Sequence, residues 1–139
     1  MLLLRSLVFQ VLFYLSTFVL MILGAPVFLL PRRLGWPLVP FWARVELFLL
    51  KWIVGVRVEF RGLENIPRGG YIVAAKHQSA WETFALLPLF PSPTYVLKRE
   101  LRYIPIFGWY TAKFRQIPVD RGKRSAALAA MTQRAREAV

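Results

Sequence analysis

The sequence predicts an α/β protein preceded by a membrane-associated two-helix hairpin, on three observations. No charged residue occurs between Arg5 and Arg32, a gap wide enough for a membrane-length helix. Hydrophobic residues make up 57% of the 139-residue chain, yet its formal net charge is +12. From Val56 onward, short apolar runs alternate with segments of helical pattern, which is the order of an α/β fold. The expected division is 1–55 for the hairpin and 56–139 for the N-terminal, incomplete part of the α/β domain.

The first element is Ser6 to Ala25, apolar apart from Gln10, Ser16 and Thr17. Twenty helical residues span about 30 Å, the thickness of the hydrocarbon core. A cleaved signal peptide fits less well, because its apolar region is only ~7–15 residues long. Pro26 and Pro31 end or kink the helix. Hydropathy leaves open whether it spans or only embeds. If it spans, the basic residues that follow place the rest of the chain in the cytoplasm.

Leu38 to Val56 is a second apolar stretch, interrupted by Arg44, Glu46 and Lys51. Arg44 and Lys51 share a helical face and Glu46 falls on another. An interfacial helix with Trp42 and Trp52 near the headgroups suits this pattern, against an ordinary core helix as the alternative. Val56–Arg61 alternates apolar and charged, as a half-exposed strand does. Gly62 to Gly70 is a loop. Tyr71–Ala75 is a short apolar run, expected as a buried strand.

Ser79-Ala80-Trp81-Glu82 fits the capping box, so a helix is expected to start at Ser79. His77, the one histidine of the chain, therefore sits between a strand end and a helix N-terminus. An imidazole takes up a proton near neutral pH, and a carboxylate on its second nitrogen fixes the tautomer. Glu82, five residues on, is the candidate orienter, provided that the turn at Gln78 folds His77 back. The alternatives are a structural histidine and a glutamate that only caps.

Pro88, Pro91 and Pro93 close that helix, and Thr94–Leu97 reads as a strand. In Lys98–Ala112, Pro105 and Gly108 forbid one continuous helix. Phe114–Val119 is expected as a strand and Ser125–Val139 as a helix.

Several chemistries are excluded. With no cysteine there is no disulfide, no thiolate nucleophile and no thiolate-held metal. A single histidine argues against a zinc site, so no metal is expected. No Gly-x-Ser-x-Gly elbow occurs, so no serine acyl-enzyme is indicated. The apolar N-terminus directs the basic charge to an anionic membrane surface rather than to nucleic acid, for which no recognition motif is present.

Lys76-His77-Gln78-Ser79-Ala80-Trp81-Glu82 resembles the His-x4-Asp block of the glycerolipid acyltransferases, in particular the 1-acyl-sn-glycerol-3-phosphate acyltransferase family. Leu97-Lys98-Arg99-Glu100-Leu101 with Ile104–Trp109 resembles that family's Lys-x-Glu-Leu…Pro-x-x-Gly segment. Ile117-Pro118-Val119-Asp120-Arg121 resembles its second substrate block. Glu82 stands where the family usually has Asp. The family's later Phe-Pro-Glu-Gly-Thr-Arg block is absent, so the resemblance implies a chain truncated at its C-terminal side and inactive by itself.

The resemblance implies a membrane-bound enzyme that moves a fatty acyl group from acyl-CoA or an acyl carrier protein to lysophosphatidate. No cofactor beyond that co-substrate is expected. His77 would be the base and Glu82 its orienter. Arg121 would hold the acceptor's phosphate, bidentately as guanidinium groups do. Lys98 and Arg99 would bind phosphates of the acceptor or of the pantetheine carrier, or alternatively anionic headgroups. The expected location is a bacterial inner membrane, with the catalytic domain on its cytoplasmic face. A different acceptor, such as a lyso-ornithine lipid, and a non-catalytic anchor module that binds anionic lipid are the alternatives.

Overall fold

The computed structural model describes residues 1–120 together with Thr132, Gln133 and Arg136. Arg121 and nearly all of the helix expected over Ser125–Val139 lie outside the described residues. The chain divides into two compact units, Met1–Gly24 with Pro37–Pro91 and Ala25–Trp36 with Ser92–Val139.

The first unit is built on α1 (Leu2–Leu23) and α3 (Leu38–Leu49). α1 has no charge between Arg5 and its end, and is long and apolar enough to cross a membrane. Its side chains are largely exposed, among them Leu7, Val11, Leu15, Phe18 and Ile22. α3 packs against α1 and continues as one π-helical turn, Leu50–Val54. Gly55 stops it in the left-handed region at φ 87°, which glycine adopts without a Cβ clash. The buried stripe of this helix is Ala43, Glu46 and Leu50, at intervals of three and four. A glutamate thus lies in the packed face, opposed by Ser16 and Thr17 of α1.

α4 (Trp81–Ala85) and a 3₁₀ turn at Leu87–Leu89 complete this unit by packing on α3. Phe84 of α4 is buried against Phe13 and Trp42, with ring centroids at 5.7 and 6.1 Å, and Phe13 meets Trp42 at 6.2 Å. Each such pair adds about 0.5–1.5 kcal/mol beyond the area it buries.

Two expected strands of this unit do not form. Val56–Arg61 keeps its alternation, with Val58 and Phe60 half-buried and Arg57, Glu59 and Arg61 exposed, but has no ladder partner among the described residues. Tyr71–Ala75 is likewise irregular, and Ile72 is exposed rather than buried. The cause is the same for both. An apolar run disposes the chain to extend, but a strand also needs a neighbour for its N–H and C=O groups.

The second unit holds a parallel pair of strands, β1 (Val96–Lys98) and β2 (Ile117–Val119), in the register Val96 to Ile117 and Lys98 to Val119. Both fall within or beside the stretches expected to be strands, and each is shorter than expected. The crossover carries a 3₁₀ turn at Arg99–Tyr103 and α5 (Phe107–Lys113), as parallel pairing requires. Pro118 lacks an N–H, and the pair is extended instead by Gln116. Its side-chain oxygen accepts the Tyr95 N–H at 2.6 Å, and its amide nitrogen donates to Phe114 O at 3.0 Å.

The core of this unit is Val27, Tyr110, Phe114 and Ile117. α2 (Arg32–Gly35) is adjoined by Trp36, whose ring meets Phe114 edge-on at 5.3 Å. Lys113 Nζ donates to the carbonyls of Phe28 and Leu30 at 3.1 and 2.6 Å, which ties the end of α5 to the 25–30 segment.

Pro105–Gly108 makes a tight corner at the start of α5. Ile106 sits at φ 64°, ψ −56°, with the Phe107 N–H bonded to Pro105 O at 2.7 Å, the geometry of a γ-turn that is rare and strained. A Cβ at Gly108 would run into the Arg102 carbonyl, whose carbon lies 2.7 Å from that position. This backbone contact leaves no flexible group to give way. At Gly35, by contrast, an added Cβ meets Val27 Cγ1 at 2.5 Å, the end of a side chain. Gly108→Ala is therefore expected to cost about 1–3 kcal/mol and to exceed Gly35→Ala, as read from thermal unfolding of each purified variant. Equal costs would contradict the backbone clash.

Candidate active site

His77 lies in the irregular segment that precedes α4, and Glu82 lies in the first turn of that helix. The turn at Gln78 does bring them together, with His77 Nδ1 2.8 Å from Glu82 Oε1. The same oxygen accepts the Ser79 N–H at 2.9 Å and the Gln78 N–H in a shorter contact. Glu82 Oε2 accepts the Ser79 N–H at 3.1 Å and the Ser79 hydroxyl at 3.1 Å. The Ser79 hydroxyl oxygen in turn accepts the Trp81 N–H at 3.1 Å.

Glu82 is thus both the cap and the partner of the histidine. A single oxygen, Oε1, serves both roles. The Ser79 backbone N–H, joined by the Gln78 N–H and the Ser79 hydroxyl, lowers the Glu82 carboxyl to about 2. It is therefore ionised at any pH where an imidazole can act as a base.

An ionised carboxylate at Nδ1 places the ring proton on Nδ1 and leaves the lone pair on Nε2. The His77 side chain is 66% exposed and that of Glu82 only 13%, so the imidazole reaches out while the carboxylate is covered. This arrangement can take a proton from a hydroxyl delivered to Nε2, and Glu82 then stabilises the imidazolium.

The expected phosphate-binding residues belong to the second unit. Lys98 ends β1, with Nζ 4.0 Å from Glu100 Oε1. Arg99 follows it, with Nη1 3.5 Å from Asp120 Oδ2, and both side chains of that pair are part-exposed. Each cation has a carboxylate neighbour, which an anionic ligand would have to displace or share. Arg121 is outside the described residues. No group of three or more metal-ligating side chains occurs among the described residues.

Sequence reasoning missed two features. Gly108 appeared as a helix breaker and as the glycine of the Pro-x-x-Gly segment, while its close approach to the Arg102 carbonyl is what demands glycine. Glu46 appeared as a charge that spoiled an amphipathic face. Its spacing of three from Ala43 and four to Leu50 was the signal that it lies in the packed stripe.

A pH dependence follows from Glu82. Its carboxyl is depressed from 4.5 to about 2, so its contribution to stability is present above about 4.5 and lost as pH falls through about 2. The stability difference between the unsubstituted protein and Glu82→Gln is expected to shrink over that window in denaturant titrations. Curves that stay parallel down to the lower limit would show that the hydrogen-bonded carboxylate contributes nothing to folding.

Comparison with known proteins points the same way as the geometry. The 1-acyl-sn-glycerol-3-phosphate acyltransferase of Pseudomonas aeruginosa is 46% identical over 87 residues, covering 63% of this chain and 34% of that protein. The Saccharomyces cerevisiae protein of the same name is 36% identical over 87 residues, covering 62% of this chain and 29% of that protein. The human 1-acyl-sn-glycerol-3-phosphate acyltransferase alpha is 28% identical over 92 residues, covering 65% and 32%. The chain spans about a third of the length of these relatives. No solved structure matches it. The protein-family model described as Acyltransferase matches residues 57–139, more than half of the 139 residues, and the chain belongs to that family.

Proposed function

We propose that this chain carries the base of an enzyme that acylates 1-acyl-sn-glycerol 3-phosphate to phosphatidate, using acyl-CoA or an acyl carrier protein as donor. The observation that carries this is the 2.8 Å contact of His77 Nδ1 with an ionised Glu82, which leaves Nε2 free and exposed. The names of the matched relatives support lysophosphatidate as the acceptor.

In the reaction, His77 Nε2 takes the proton of the acceptor's free hydroxyl as that oxygen attacks the thioester carbonyl. The tetrahedral intermediate collapses by breaking the C–S bond, and the imidazolium returns its proton to the departing sulfur, which leaves as the thiol. The new ester bond and the released thiol balance the step, and no group on the enzyme is acylated. No cofactor besides the acyl thioester enters. Arg121, with Lys98 and Arg99, would hold the acceptor's phosphate, since guanidinium groups pair bidentately with it.

The reading includes the membrane. Residues 1–55 would act as a membrane-associated hairpin, with α1 in the bilayer and α3 at the interface, and 56–139 as the N-terminal part of the catalytic domain. The apolar exposed surface of α1 and the excess of basic residues after it support this placement. The corresponding location is the cytoplasmic face of a bacterial inner membrane.

Two measurements test the assignment in the full-length protein. His77→Ala is expected to lower turnover of acyl thioester by about 10²–10⁴-fold while membrane association persists. Turnover above about a tenth of the unsubstituted protein would remove His77 as the base. Arg121→Ala is expected to raise KM for the phosphorylated acceptor by roughly 10- to 100-fold, the worth of one charge-assisted contact, with KM for the acyl donor unchanged. An equal rise for both substrates would give Arg121 a structural role.

A further inference from the structure

Glu46 is fully buried in the first unit, and the proposed reaction does not use it. It lies on α3, and its Oε1 is 2.6 Å from Ser16 Oγ on α1. The Ser16 hydroxyl also lies 3.0 Å from the Phe13 carbonyl oxygen, one helical turn back. Beside this contact, Trp42 Nε1 donates to Thr17 Oγ1 at 3.0 Å.

A serine hydroxyl has one proton and two lone pairs. If Glu46 were ionised, Ser16 would face two acceptors with one proton. If Glu46 carries the proton, the chain closes: Glu46 donates to Ser16 Oγ, and Ser16 donates to Phe13 O. A separation of 2.6 Å suits either direction, so the proton count decides. Two further observations agree. Glu46 Oε2 is buried without a hydrogen-bond partner, tolerable for a neutral carbonyl oxygen and costly for a carboxylate. The charged groups on the elements packed against α3 are Arg5 on α1, Lys51 on the π-helical turn and Glu82 on α4, with Arg44 on α3 itself. None of them pairs with Glu46 among the described residues. Burial accordingly raises the carboxyl, offset in part by the polar groups of Ser16, Trp42 and Thr17 beside it.

This clasp lies under the candidate active site. Ser16 is one helical turn after Phe13, and Trp42 is one turn before Glu46. Those two rings form the seat of Phe84, which is buried two residues after Glu82 on α4. We propose that Glu46 is a positioning residue for the His77–Glu82 pair and is held as an uncharged carboxylic acid that donates to Ser16. It fixes α1 against α3, and the seat formed by Phe13 and Trp42 then fixes α4 and the carboxylate on it.

The proposal rests on the acyltransferase reading only where turnover is measured. Glu46→Gln and Glu46→Leu test it in the full-length membrane-bound protein. Glutamine has a donor and an acceptor without charge, whereas leucine fills the space with neither. Difference infrared spectra of the unsubstituted protein against Glu46→Gln at neutral pH are expected to show the C=O stretch of a protonated carboxyl. The ring resonances of His77 are expected to stay in place in Glu46→Gln and to move in Glu46→Leu. The value of kcat should fall by about tenfold or more in the leucine variant, with KM for the thioester within about twofold, and glutamine should keep it. Absence of the carboxyl band overturns the proposal, and so do His77 resonances that stay in place in Glu46→Leu. If the leucine variant does not fold, displaced His77 resonances in Glu46→Gln overturn it instead. If the unsubstituted protein shows no acyl transfer, the functional reading fails, while the infrared and His77 signals still decide this one.

Discussion

A single carboxylate organises the site. Four donors converge on Glu82: the His77 ring, the backbone N–H groups of Gln78 and Ser79, and the Ser79 hydroxyl. The two backbone bonds make the turn, and the turn is what carries His77 back over the first residues of α4. Had Glu82 only capped the helix, nothing would hold the imidazole. Had it only paired with the imidazole, the N–H groups of the turn would be left to solvent. One group meets both demands because a carboxylate has lone pairs for about four donors. Its low pKa records the part of that convergence made by the backbone N–H groups and the Ser79 hydroxyl.

Such a turn needs a support, because α4 has only five residues and cannot stand by itself. The support is aromatic. Phe84 is 3% exposed and wedged between Phe13 and Trp42, so the turn that joins His77 and Glu82 is referred back to the packing of α1 on α3. This links the apolar N-terminal helix to the His77–Glu82 pair through three rings and a buried pair of polar contacts. The link runs through side chains of one compact unit.

How much of this was legible depended on the range of the interaction. The presence of α1 and α3 follows from apolar composition, which is local, although α1 starts at Leu2 rather than Ser6 and the second helix stops at Gly55, inside the stretch expected to run to Val56. The approach of Glu82 to His77 was also local: the capping-box spacing marked a helix start beside His77, and the turn at Gln78 was the condition for the pair to meet. Tyr71–Ala75 was read as a buried strand because it is apolar, but a ladder depends on a partner distant in sequence. None faces it among the described residues. The role of Glu46 was hidden for a similar reason, since its partner Ser16 lies 30 residues away on another helix. Gly108 was visible as a glycine, but the Arg102 carbonyl that requires it belongs to a corner whose shape depends on the γ-turn at Ile106. Lys98 and Arg99 were chosen by motif, which says nothing of the carboxylates beside them.

The account turns on the tautomer of His77. Because the chain has one histidine, the ¹⁵N spectrum of its labelled imidazole reports on the site without ambiguity. With the ring neutral, the structure requires a proton on Nδ1, shared with Glu82, and a bare, pyridine-like Nε2. The predicted spectrum has these two nitrogens well separated in that order, and substituting Glu82 with glutamine collapses the difference. A proton on Nε2, or a rapidly exchanging mixture insensitive to Glu82, would contradict the assignment of His77 as an oriented base.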